Sequence, residues 1–464
     1  MKQTEQQVIF DLELLKKYDV SGPRYTSYPT APQFDAGFSE QDYLACIADS
    51  QAAAPSRPLS LYVHLPFCDT ICYYCACNKI VTKDRARAIP YLQHLYKEIA
   101  MQAALFDSDR VVEQLHWGGG TPTFISHAQM TELMQHLHQQ FNFAADEAGE
   151  YSIEIDPREA DAETIAVLRD IGFNRLSLGV QDLDEGVQKA VNRIQSEQET
   201  FAVIDAARAE GFRSISLDLM YGLPHQTVAG FMRTLDRVLQ AEPDRLSLFN
   251  YAHMPTLFKP QRRINDVDLP DAQTKLDILQ ASIEHLGKAG YVYIGMDHFA
   301  RPDDELAVAQ REGKLHRNFQ GYSTHADCDM LAFGVTAIGQ IGDSYSQNQR
   351  EADAYYTALD AGHLPLLRGM RLSEDDKIRR HVIQTLICHF ALEFAVIDAE
   401  LDIDSRHYFA EDLRHLEPMQ ADGLLEVSDT GIRVLPAGRL LIRNICMVFD
   451  AYLQKSAQQF SRVI

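Results

Sequence analysis

Four of the eight cysteines in this chain lie within one short segment, HLPFCDTICYYCACNKIV, which covers residues 64 to 81. Cys68, Cys72 and Cys75 form the pattern C-x3-C-x2-C, and Cys77 follows two residues later. Three closely spaced thiolates suit three irons of a [4Fe–4S] cube, because a tight loop can surround one cluster. The fourth iron of such a cluster would be open to a small molecule, as the open position of a catalytic zinc site is.

Two other interpretations of this segment remain open on spacing alone. A zinc ion could bind the three cysteines if Cys77 or His64 supplied the fourth ligand. A redox dithiol is the second alternative, because Cys72 and Cys75 form a C-x-x-C pair. The spacing of the three cysteines favours the iron–sulfur cluster.

Short strand-like runs alternate with helix-like stretches from about residue 59 to residue 300. The six runs are LSLYVHLPF, VEQLHWGGG, YSIEIDP, RLSLGVQ, SISLDLMYGLP and RLSLFNYAH. Six strands separated by helices predict a parallel sheet of the α/β barrel or doubly wound kind. Functional residues in such folds lie at the carboxyl ends of the strands. The residues found at those ends are Cys68, Gly118, Gly119, Gly120, Glu154, Gln181, Asp218 and Ala252.

The flanks of this core differ from it in pattern. Residues 1–58 are predicted to form an N-terminal arm that contains SGPRYTSYPTAPQF, residues 59–300 the core, and residues 301–349 its completion and connection. Residues 350–464 are mostly helical in pattern and contain GLLEVSDTGIRVL, a hairpin turned at Asp429-Thr430-Gly431. Helices followed by a hairpin resemble a winged-helix domain, for which packing or covering the core is the expected role.

Composition excludes several classes of function. The formal net charge of −23 argues against a general nucleic-acid-binding protein and against docking on anionic lipid. No run of 18 or more apolar residues occurs, so no membrane span is expected. The N-terminus has no signal-peptide pattern, which predicts a cytoplasmic protein. Clustered cysteines in that reducing compartment are more often metal ligands or catalytic thiols than disulfides.

The cysteine pattern just after the first strand of an α/β barrel resembles the radical S-adenosylmethionine (SAM) enzymes. LHWGGGTPT resembles the glycine motif of that superfamily, which receives the SAM amino group, and glycines let a backbone approach a ligand closely. Tyr74 lies where the superfamily has an aromatic residue near the adenine. The resemblance implies a partial (β/α)6 radical SAM barrel with an N-terminal arm and a C-terminal, mostly helical, winged-helix-like domain.

Nearly the whole chain resembles the bacterial oxygen-independent coproporphyrinogen III oxidases, or dehydrogenases. The shared stretches include GPRYTSYPT, SIEIDPRE, GFNRLSLGVQD, LDLMYGLPHQT, DRLSLFNYAH, LHRNFQGY and RLLIRNICMVFDAYL. The C-x-C formed by Cys75 and Cys77 is a further mark of this branch. Cys77 is not a cluster ligand in that family, so the resemblance assigns iron to Cys68, Cys72 and Cys75 alone.

The resemblance implies an enzyme of haem biosynthesis with one [4Fe–4S] cluster and two SAM molecules. Members of the family convert the propionates on rings A and B of coproporphyrinogen III to vinyls by two oxidative decarboxylations, which give protoporphyrinogen IX. Each decarboxylation uses one SAM and releases one electron to an acceptor. We therefore expect an electron donor and an electron acceptor as partners, no nucleic acid, no membrane, and a monomer.

The resemblance also assigns contacts to the two SAM molecules. The first SAM is expected to contact Tyr62, Gly118, Glu154, Ala252 and Ile338. The second is expected to contact Tyr74, Cys75, Ala76, Gly119, Gly120, Thr121, Gln181, Arg193 and Asp218. These residue types fit the ligand, because an arginine can pair with the SAM carboxylate through two hydrogen bonds and carboxylates can accept from ribose hydroxyls.

Coproporphyrinogen carries four carboxylates, so its pocket should be basic although the whole chain is acidic. The candidate contacts are Arg24, Lys259, Arg262, Arg263, Arg301 and Arg317. Arg262 and Arg263 also fit a solvated turn, and RYTSYPT in the arm could cover a flat macrocycle. His325 and Cys328 depart from the pattern of the family, and we interpret them as buried spectators.

Two alternative functions use the same scaffold. Haem-binding chaperones share the cysteine motif, but they tend to be shorter and lack both the GPRYTSYPT arm and the C-x-C pair. An enzyme that opens haem under anaerobic conditions shares the barrel, and only activity separates it from a coproporphyrinogen oxidase.

Overall fold

The computed structural model describes residues 8–145, 148–325 and 327–453. Its strands are β1 (Leu59–Leu65), β2 (Phe67–Cys68), β3 (Ile80–Val81), β4 (Val111–Gly119), β5 (Asn142–Phe143), β6 (Glu150–Ile155), β7 (Arg175–Gln181), β8 (Ser214–Tyr221), β9 (Arg245–Asn250), β10 (Val292–Gly295), β11 (His298–Ala300), β12 (His316–Asn318), β13 (Gly321–Ser323), β14 (Asp329–Phe333), β15 (Ile338–Ile341), β16 (Ser344–Asn348), β17 (Leu366–Arg371), β18 (Ala391–Glu393), β19 (Leu425–Val427) and β20 (Gly431–Val434).

The α-helices are α1 (Leu12–Lys17), α2 (Glu40–Ala53), α3 (Ala88–Ala103), α4 (His127–Gln140), α5 (Ala162–Asp170), α6 (Glu185–Ala190), α7 (Glu197–Ala209), α8 (Val228–Leu239), α9 (Ala272–Lys288), α10 (Glu305–Glu312), α11 (Ala352–Asp360), α12 (Glu374–His389), α13 (Phe394–Leu401), α14 (Ser405–Tyr408), α15 (Ala410–His415), α16 (Glu417–Ala421) and α17 (Ile442–Val448). No helix in the described part of the chain is long and apolar enough to cross a lipid bilayer.

Six parallel strands form the centre of the fold, and they are the six predicted from the sequence. Their spatial order is β1, β4, β6, β7, β8 and β9, with each strand parallel to the next. The sheet continues beyond β1 through the parallel β14 and then β15, β16 and β17, and beyond β9 through the antiparallel β11 and β10. The predicted partial (β/α)6 barrel is therefore confirmed, with an extension at each edge. The division of the chain at residues 58, 300 and 349 stays a prediction, and β17 belongs to the central sheet.

One face of the central strands is apolar and the other is polar. Leu61, Val63, Leu115 and Trp117 are fully buried, and the residues that alternate with them carry polar side chains. Those polar side chains form hydrogen bonds between neighbouring strands. The three pairs are Ser60 Oγ with Gln114 Oε1 at 2.8 Å, His116 Nδ1 with Ser152 Oγ at 2.6 Å, and Ser177 Oγ with Asp218 Oδ2 at 3.1 Å. Parallel strands covered by apolar layers on both faces are hydrophobic nearly throughout. This alternation therefore indicates a polar interior that can receive polar ligands.

The N-terminal arm packs against the C-terminal part of the chain. The guanidinium of Arg443 donates hydrogen bonds to the carbonyls of Gly22 and Pro23. The hydroxyl of Tyr25 donates to Asp450 at 2.9 Å. These contacts fix the backbone on both sides of Arg24, whose guanidinium donates to Asp297 Oδ2 at 2.6 Å in the turn between β10 and β11. The arm thus reaches the edge of the barrel next to the end of β9.

The C-terminal region contains the predicted hairpin. Strands β19 and β20 are antiparallel and are joined by residues 428–430, and β18 adds a third strand beside β20. The small sheet packs with α12, whose N-terminus has a capping box. The Ser373 hydroxyl accepts a hydrogen bond from Asp376 N, and the Asp376 carboxylate accepts one from Ser373 N. A helical domain with a short three-stranded sheet agrees with the predicted winged-helix-like architecture.

Helix α3 differs in one detail from the apolar stripe that the sequence indicates, and it buries a carboxylate. The apolar spacing in IPYLQHLYKEIAMQAAL predicts one stripe made of Ile89, Leu92, Leu95, Ile99 and Ala103. Ile89 is instead 49% exposed, because Ala88, Tyr91 and Leu92 face the core at that end. Glu98 is fully buried and accepts hydrogen bonds from four donors: Gly334 N at 2.8 Å, Tyr355 OH at 2.5 Å, Asn348 Nδ2 at 2.6 Å and Gln102 Nε2 at 2.9 Å. Burial raises the pKa of Glu98 to about 7, while these donors act to lower it.

We expect Glu98→Gln to lower the free energy of unfolding by about 2 kcal/mol, because a buried donor without an acceptor costs about 1–3 kcal/mol. The amide nitrogen would replace one carboxylate oxygen and would oppose two donors. Denaturant unfolding of both proteins measures the difference. Glu163→Gln is the matched control, because the Glu163 side chain is 79% exposed and should change stability little. Equal stability of the Glu98 variant and the control would contradict this account.

Candidate active site

The three cysteines of the motif lie in the loop that follows β1. The sulfur of Cys72 is approached by two guanidinium groups, Arg158 Nη2 at 3.7 Å and Arg193 Nη1 at 3.6 Å. The hydroxyl of Thr121 lies 3.7 Å from the sulfur of Cys68. Positive charge and hydrogen bonds of this kind stabilise thiolates, which are the form that binds metal. The loop is therefore prepared to hold ligands rather than to pack as core.

The spacing of the three sulfurs distinguishes a cluster from a single metal ion. Cys68, Cys72 and Cys75 do not all lie within 4.8 Å of one another in the described structure. One tetrahedral zinc with bonds of about 2.3 Å requires its thiolates to lie about 3.8 Å apart. A cube carries its thiolates on separate irons and tolerates a wider spacing. The residues present therefore fit a [4Fe–4S] cluster better than they fit zinc.

The thiols of the loop differ in their pKa values. Burial raises the pKa of Cys68 to about 11. A hydrogen bond with the Cys77 thiol lowers the pKa of Cys75 to about 6, although burial opposes it. Cys77 itself is exposed to solvent. That Cys77 is not a cluster ligand stays a prediction, because its thiol contacts Cys75.

The glycine run at the end of β4 contacts the segment that leads into the cysteine loop. The backbone N–H of Gly120 donates to Leu65 O at 2.8 Å, and that of Thr121 donates to Phe67 O at 2.7 Å. A Cβ atom on Gly120 would lie 2.6 Å from Phe67 O and 2.7 Å from the carbonyl carbon of Pro66. Gly119 has a φ of +114°, which side-chain-bearing residues rarely adopt. Glycine is thus required at two adjacent positions for the backbones to meet.

We expect Gly120→Ala to prevent normal cluster assembly, because the added methyl group would push backbone atoms of Pro66 and Phe67 away and displace Cys68. The iron content of the reconstituted protein and its absorption spectrum measure the effect. Gly287→Ala is the control, because a Cβ there meets no atom within 4 Å and Gly287 lies inside α9. A Gly120 variant with the full iron content and normal SAM binding would show that the close approach is dispensable.

Glu154 lies at the centre of the polar interior, beside the glycine run. Its carboxylate accepts from Gly119 N at 3.1 Å, and His116 Nε2 lies 3.4 Å from it. Burial raises the pKa of Glu154, but the His116 contact and the Gly119 hydrogen bond outweigh it and hold the pKa below its ordinary value. The side chain is nevertheless 46% exposed, because it faces the open interior of the barrel. A charged acceptor is therefore available to a ligand there.

Tyr62 lines the same wall on the neighbouring strand. Its ring stacks on that of His116 with centroids 5.9 Å apart, and its hydroxyl lies 3.0 Å from His64 Nδ1. The structure thus brings together Tyr62, Gly118 and Glu154, three of the residues expected around the first SAM. A Cβ on Gly118 would lie only 3.0 Å from the Glu154 carboxylate.

Gln181, Arg193 and Asp218 form a second polar group on the β7 and β8 side. Arg193 pairs with Asp156 at 2.9 Å and also donates to Gly179 O. Its Nε and the Oε1 of Gln181 are buried and have no hydrogen-bond partner in the described structure. Burial raises the pKa of Asp218 to about 6. Unsatisfied buried polar atoms are rare in proteins, so they point to a polar ligand in this group.

The remaining expected contacts are placed less uniformly. Gln261 donates one hydrogen bond to Tyr74 O at 3.0 Å and another to Ala252 O at 3.3 Å, so Tyr74 and Ala252 belong to one group. Ala76 is exposed in the cysteine loop. Ile338 begins β15 and packs against the cluster that contains Phe34 and Tyr345. Because β15 lies beyond β1 in the sheet, Ile338 is on the opposite side of the site from Gln181.

Sequence reasoning missed the two residues that act on Arg193 and Cys72. Asp156 binds both Arg193 and Arg158, and Arg158 also contacts the Cys72 sulfur. Both residues follow β6 directly. The rule that functional residues lie at strand ends could have found them, because they belong to the quoted stretch SIEIDPRE.

The six basic residues proposed for the substrate fall into different environments. Arg317 is 4% exposed and its guanidinium lies 4.7 Å from the Tyr322 ring, whereas Arg24 pairs with Asp297. Arg301 is paired with Asp303 at 3.7 Å on the surface. The other three lie exposed in the segment after β9: Lys259, Arg262 and Arg263. The structure therefore separates one buried candidate from a solvated group.

Comparison with known proteins identifies the family. The model of the radical SAM superfamily matches residues 62–238, and that of the HemN C-terminal domain matches residues 372–441. The oxygen-independent coproporphyrinogen III oxidase of Pseudomonas aeruginosa is 56% identical over 456 residues, which cover 98% of this chain and 99% of that protein. The Escherichia coli (strain K12) protein of the same name is 56% identical over 461 residues and covers 99% of both chains.

A solved structure agrees with this result over almost the full length. The coproporphyrinogen III oxidase (HemN) from Escherichia coli, described as a radical SAM enzyme, has a TM-score of 0.92 and 54% identity, and the match covers 96% of this chain and 100% of that one. The fold, the family and the cofactor class expected from the sequence are thereby confirmed. This chain belongs to the oxygen-independent coproporphyrinogen III oxidase family of the radical SAM superfamily.

Proposed function

We propose that this chain converts two propionates of coproporphyrinogen III to vinyls by oxidative decarboxylation, in the anaerobic synthesis of haem. The observation that carries the proposal is the cysteine loop at the mouth of a barrel whose interior is lined by Tyr62, Glu154 and Asp218. Such an interior suits a polar cofactor beside an open iron. A haem-binding chaperone would not need two separate polar groups of this kind.

When bound, the [4Fe–4S] cluster and SAM supply one-electron chemistry that removes a hydrogen atom from a propionate of the substrate. The propionate then releases CO2 and passes one electron to an acceptor, and a vinyl group remains. The residues of this chain hold the components in place. Cys68, Cys72 and Cys75 would bind three irons, and Arg158 and Arg193 donate hydrogen bonds to the Cys72 sulfur.

Two SAM positions are supported by the two polar groups. The first comprises Tyr62, Gly118 and Glu154, with Ile338 on the same side of the site. The second comprises Tyr74, Gln181, Arg193 and Asp218, together with Cys75, Ala76, Gly119, Gly120 and Thr121. We assign Ala252 to the second position rather than the first, because Gln261 links it to Tyr74. A charged Arg193 held by Asp156 can still offer its Nε to a carboxylate.

Arg317 is the residue that we propose for binding a substrate carboxylate. Its Nε and Nη1 are buried without a hydrogen-bond partner in residues 8–145, 148–325 and 327–453. Burial together with the Arg317 charge lowers the pKa of the neighbouring His298 to about 3, so His298 is neutral and does not add to the charge there. Burying a guanidinium without an anion is costly, which is reasonable where a ligand brings the anion. Coproporphyrinogen supplies four carboxylates.

The remaining features of the proposal concern partners and location. We propose a cytoplasmic monomer that takes electrons from a donor and passes them to an acceptor. The charge of −23 supports the proposal that nucleic acid is not a ligand. Light scattering after size exclusion would test the monomer.

The test of the activity uses protein reconstituted without oxygen. Coproporphyrinogen III, SAM and a strong reductant are added, and porphyrin products and 5′-deoxyadenosine are separated by chromatography. We expect protoporphyrinogen with two deoxyadenosines for each product. Cleavage of SAM without a vinyl product would mean that the substrate is a molecule other than coproporphyrinogen III. Haem binding without either product would favour the chaperone.

A further inference from the structure

A second group of metal-binding side chains lies at the end of the barrel opposite the cysteine loop. Glu113 is near the start of β4, Glu150 begins β6, and His325 and Cys328 come shortly before β14 in the sequence. One ligand atom from each of Glu113, His325 and Cys328 lies within 4.8 Å of the other two. They are the only trio of this kind among the His, Cys, Asp and Glu residues that the structure describes.

The strand pairing places Glu113 in this group through an irregularity. Leu59 pairs with Val112, and Ser60 pairs with Gln114, so Glu113 is an extra residue in β4 opposite β1. An extra residue of this kind forms a β-bulge, which redirects a side chain and is common beside functional sites. Without this register shift, Glu113 would pair directly with a residue of β1 and its side chain would follow the regular alternation between the two faces of the sheet.

The distances around the His325 ring suit a metal-binding histidine whose other nitrogen faces a carboxylate. His325 Nδ1 lies 3.3 Å from Glu113 Oε2. Two ligands at about 2.0–2.1 Å from a tetrahedral metal are about 3.3 Å apart, so this pair is spaced as ligands of one ion are. The other ring nitrogen, His325 Nε2, lies 3.6 Å from Glu150 Oε2. A metal-bound histidine commonly donates its second N–H to a carboxylate, and Glu150 is the carboxylate that faces this nitrogen.

The local charge also favours a cation. The carboxylates of Glu113, Asp327, Asp329 and Glu150 all act on Cys328, whose side chain is partly buried. Two of the arginines nearby, Arg57 and Arg110, are paired with Asp329. Arg245 faces Glu150 and is itself paired with Asp304. A divalent ion bound beside Cys328 would offset the negative charge of these carboxylates.

We propose that Glu113, His325 and Cys328 bind one divalent transition metal ion, that water is its fourth ligand, and that Glu150 orients His325. One thiolate, one imidazole and one carboxylate form the donor set that zinc prefers. Zn²⁺ with one thiolate and one carboxylate gives a neutral site. The ion would link the residues just before β14, His325 and Cys328, to Glu113 in β4 and through Glu150 to β6. This role is independent of the decarboxylation proposed above.

The test uses the holoenzyme, purified without oxygen and with its cluster complete, so that the cysteine loop is occupied by iron. The protein is supplied with one equivalent of ZnCl2 and desalted, and zinc and iron are measured. We expect one zinc in addition to the cluster irons. X-ray absorption at the zinc edge should show one sulfur at about 2.3 Å and nitrogen or oxygen at about 2.0–2.1 Å.

Variants separate this site from a fortuitous one. Cys328→Ser and His325→Gln should each lose the zinc and keep the iron, whereas Cys46→Ser, which changes a buried cysteine in α2, should keep both. A chelator should lower the melting temperature of the wild type but not that of Cys328→Ser. The proposal is wrong if the wild type holds no zinc, if three or more sulfurs surround the zinc, or if both variants retain it.

Discussion

Replacing Cys68, Cys72 or Cys75 by serine is expected to eliminate the cluster and all SAM-dependent activity. A serine hydroxyl stays protonated near neutral pH and does not replace a thiolate on iron. Loss of one ligand would leave two thiolates for a cluster that already has an open iron. Iron and sulfide content, the visible spectrum and the yield of 5′-deoxyadenosine after anaerobic reconstitution are the measurements.

Cys77→Ser is the matched control, since it removes a thiol from the same loop. Cys77 is exposed, and a serine there can still donate a hydrogen bond to Cys75. We expect an unchanged cluster spectrum. Loss of the cluster in this variant, or its retention in Cys72→Ser, would overturn the ligand assignment.

Arg317→Met is expected to weaken catalysis strongly while the protein becomes no less stable. A hydrogen bond to a charged group is worth about 1.5–3 kcal/mol, so losing it should lower kcat/KM by about 10- to 150-fold. Removing a buried guanidinium without an anion is often neutral or stabilising, so the melting temperature without substrate should stay equal or rise. Steady-state kinetics and thermal unfolding of the same samples give both numbers.

The two measurements together separate a substrate contact from a structural role. A residue needed for packing would lower the melting temperature when replaced. Arg317→Lys should recover part of the activity, because a charge remains but the two-pronged geometry is lost. Arg301→Gln is the control, since its side chain is 44% exposed. Normal kcat/KM in Arg317→Met would remove Arg317 from the substrate site.

The central strands and the residues at their ends could be predicted from the sequence because both depend on local pattern. Alternation within Leu59–Leu65 and Val111–Gly119 reflects an apolar face and a polar face, and the carboxyl end of each strand marks the site. The same reasoning was wrong for Ile89, because the direction of the buried face of a helix depends on what packs against it. Local pattern does not report a partner distant in sequence.

Long-range contacts account for most of what the sequence did not predict. The hydrogen bonds of Arg443 to Gly22 and Pro23 join residues about 420 positions apart. Nothing in either segment indicates the other. The closeness of His325 and Cys328 to Glu113 is likewise a long-range feature. Glu113 lies at a β-bulge, where β4 has one residue more than β1, and the sequence of β4 alone does not indicate that shift. The interpretation of His325 and Cys328 as buried spectators stays a prediction, and the structure places both residues in partly buried positions.

The contacts of the N-terminal arm with Arg443 and Asp450 have a consequence for biosynthesis. The cysteine loop and the glycine run that supports it lie within the first 121 residues, whereas the arm is held by Arg443 and Asp450. A chain still being translated therefore contains the cysteine loop long before it contains the residues that hold the arm. The contacts of the arm with Arg443 and Asp450 consequently form only after all six central strands have been synthesised.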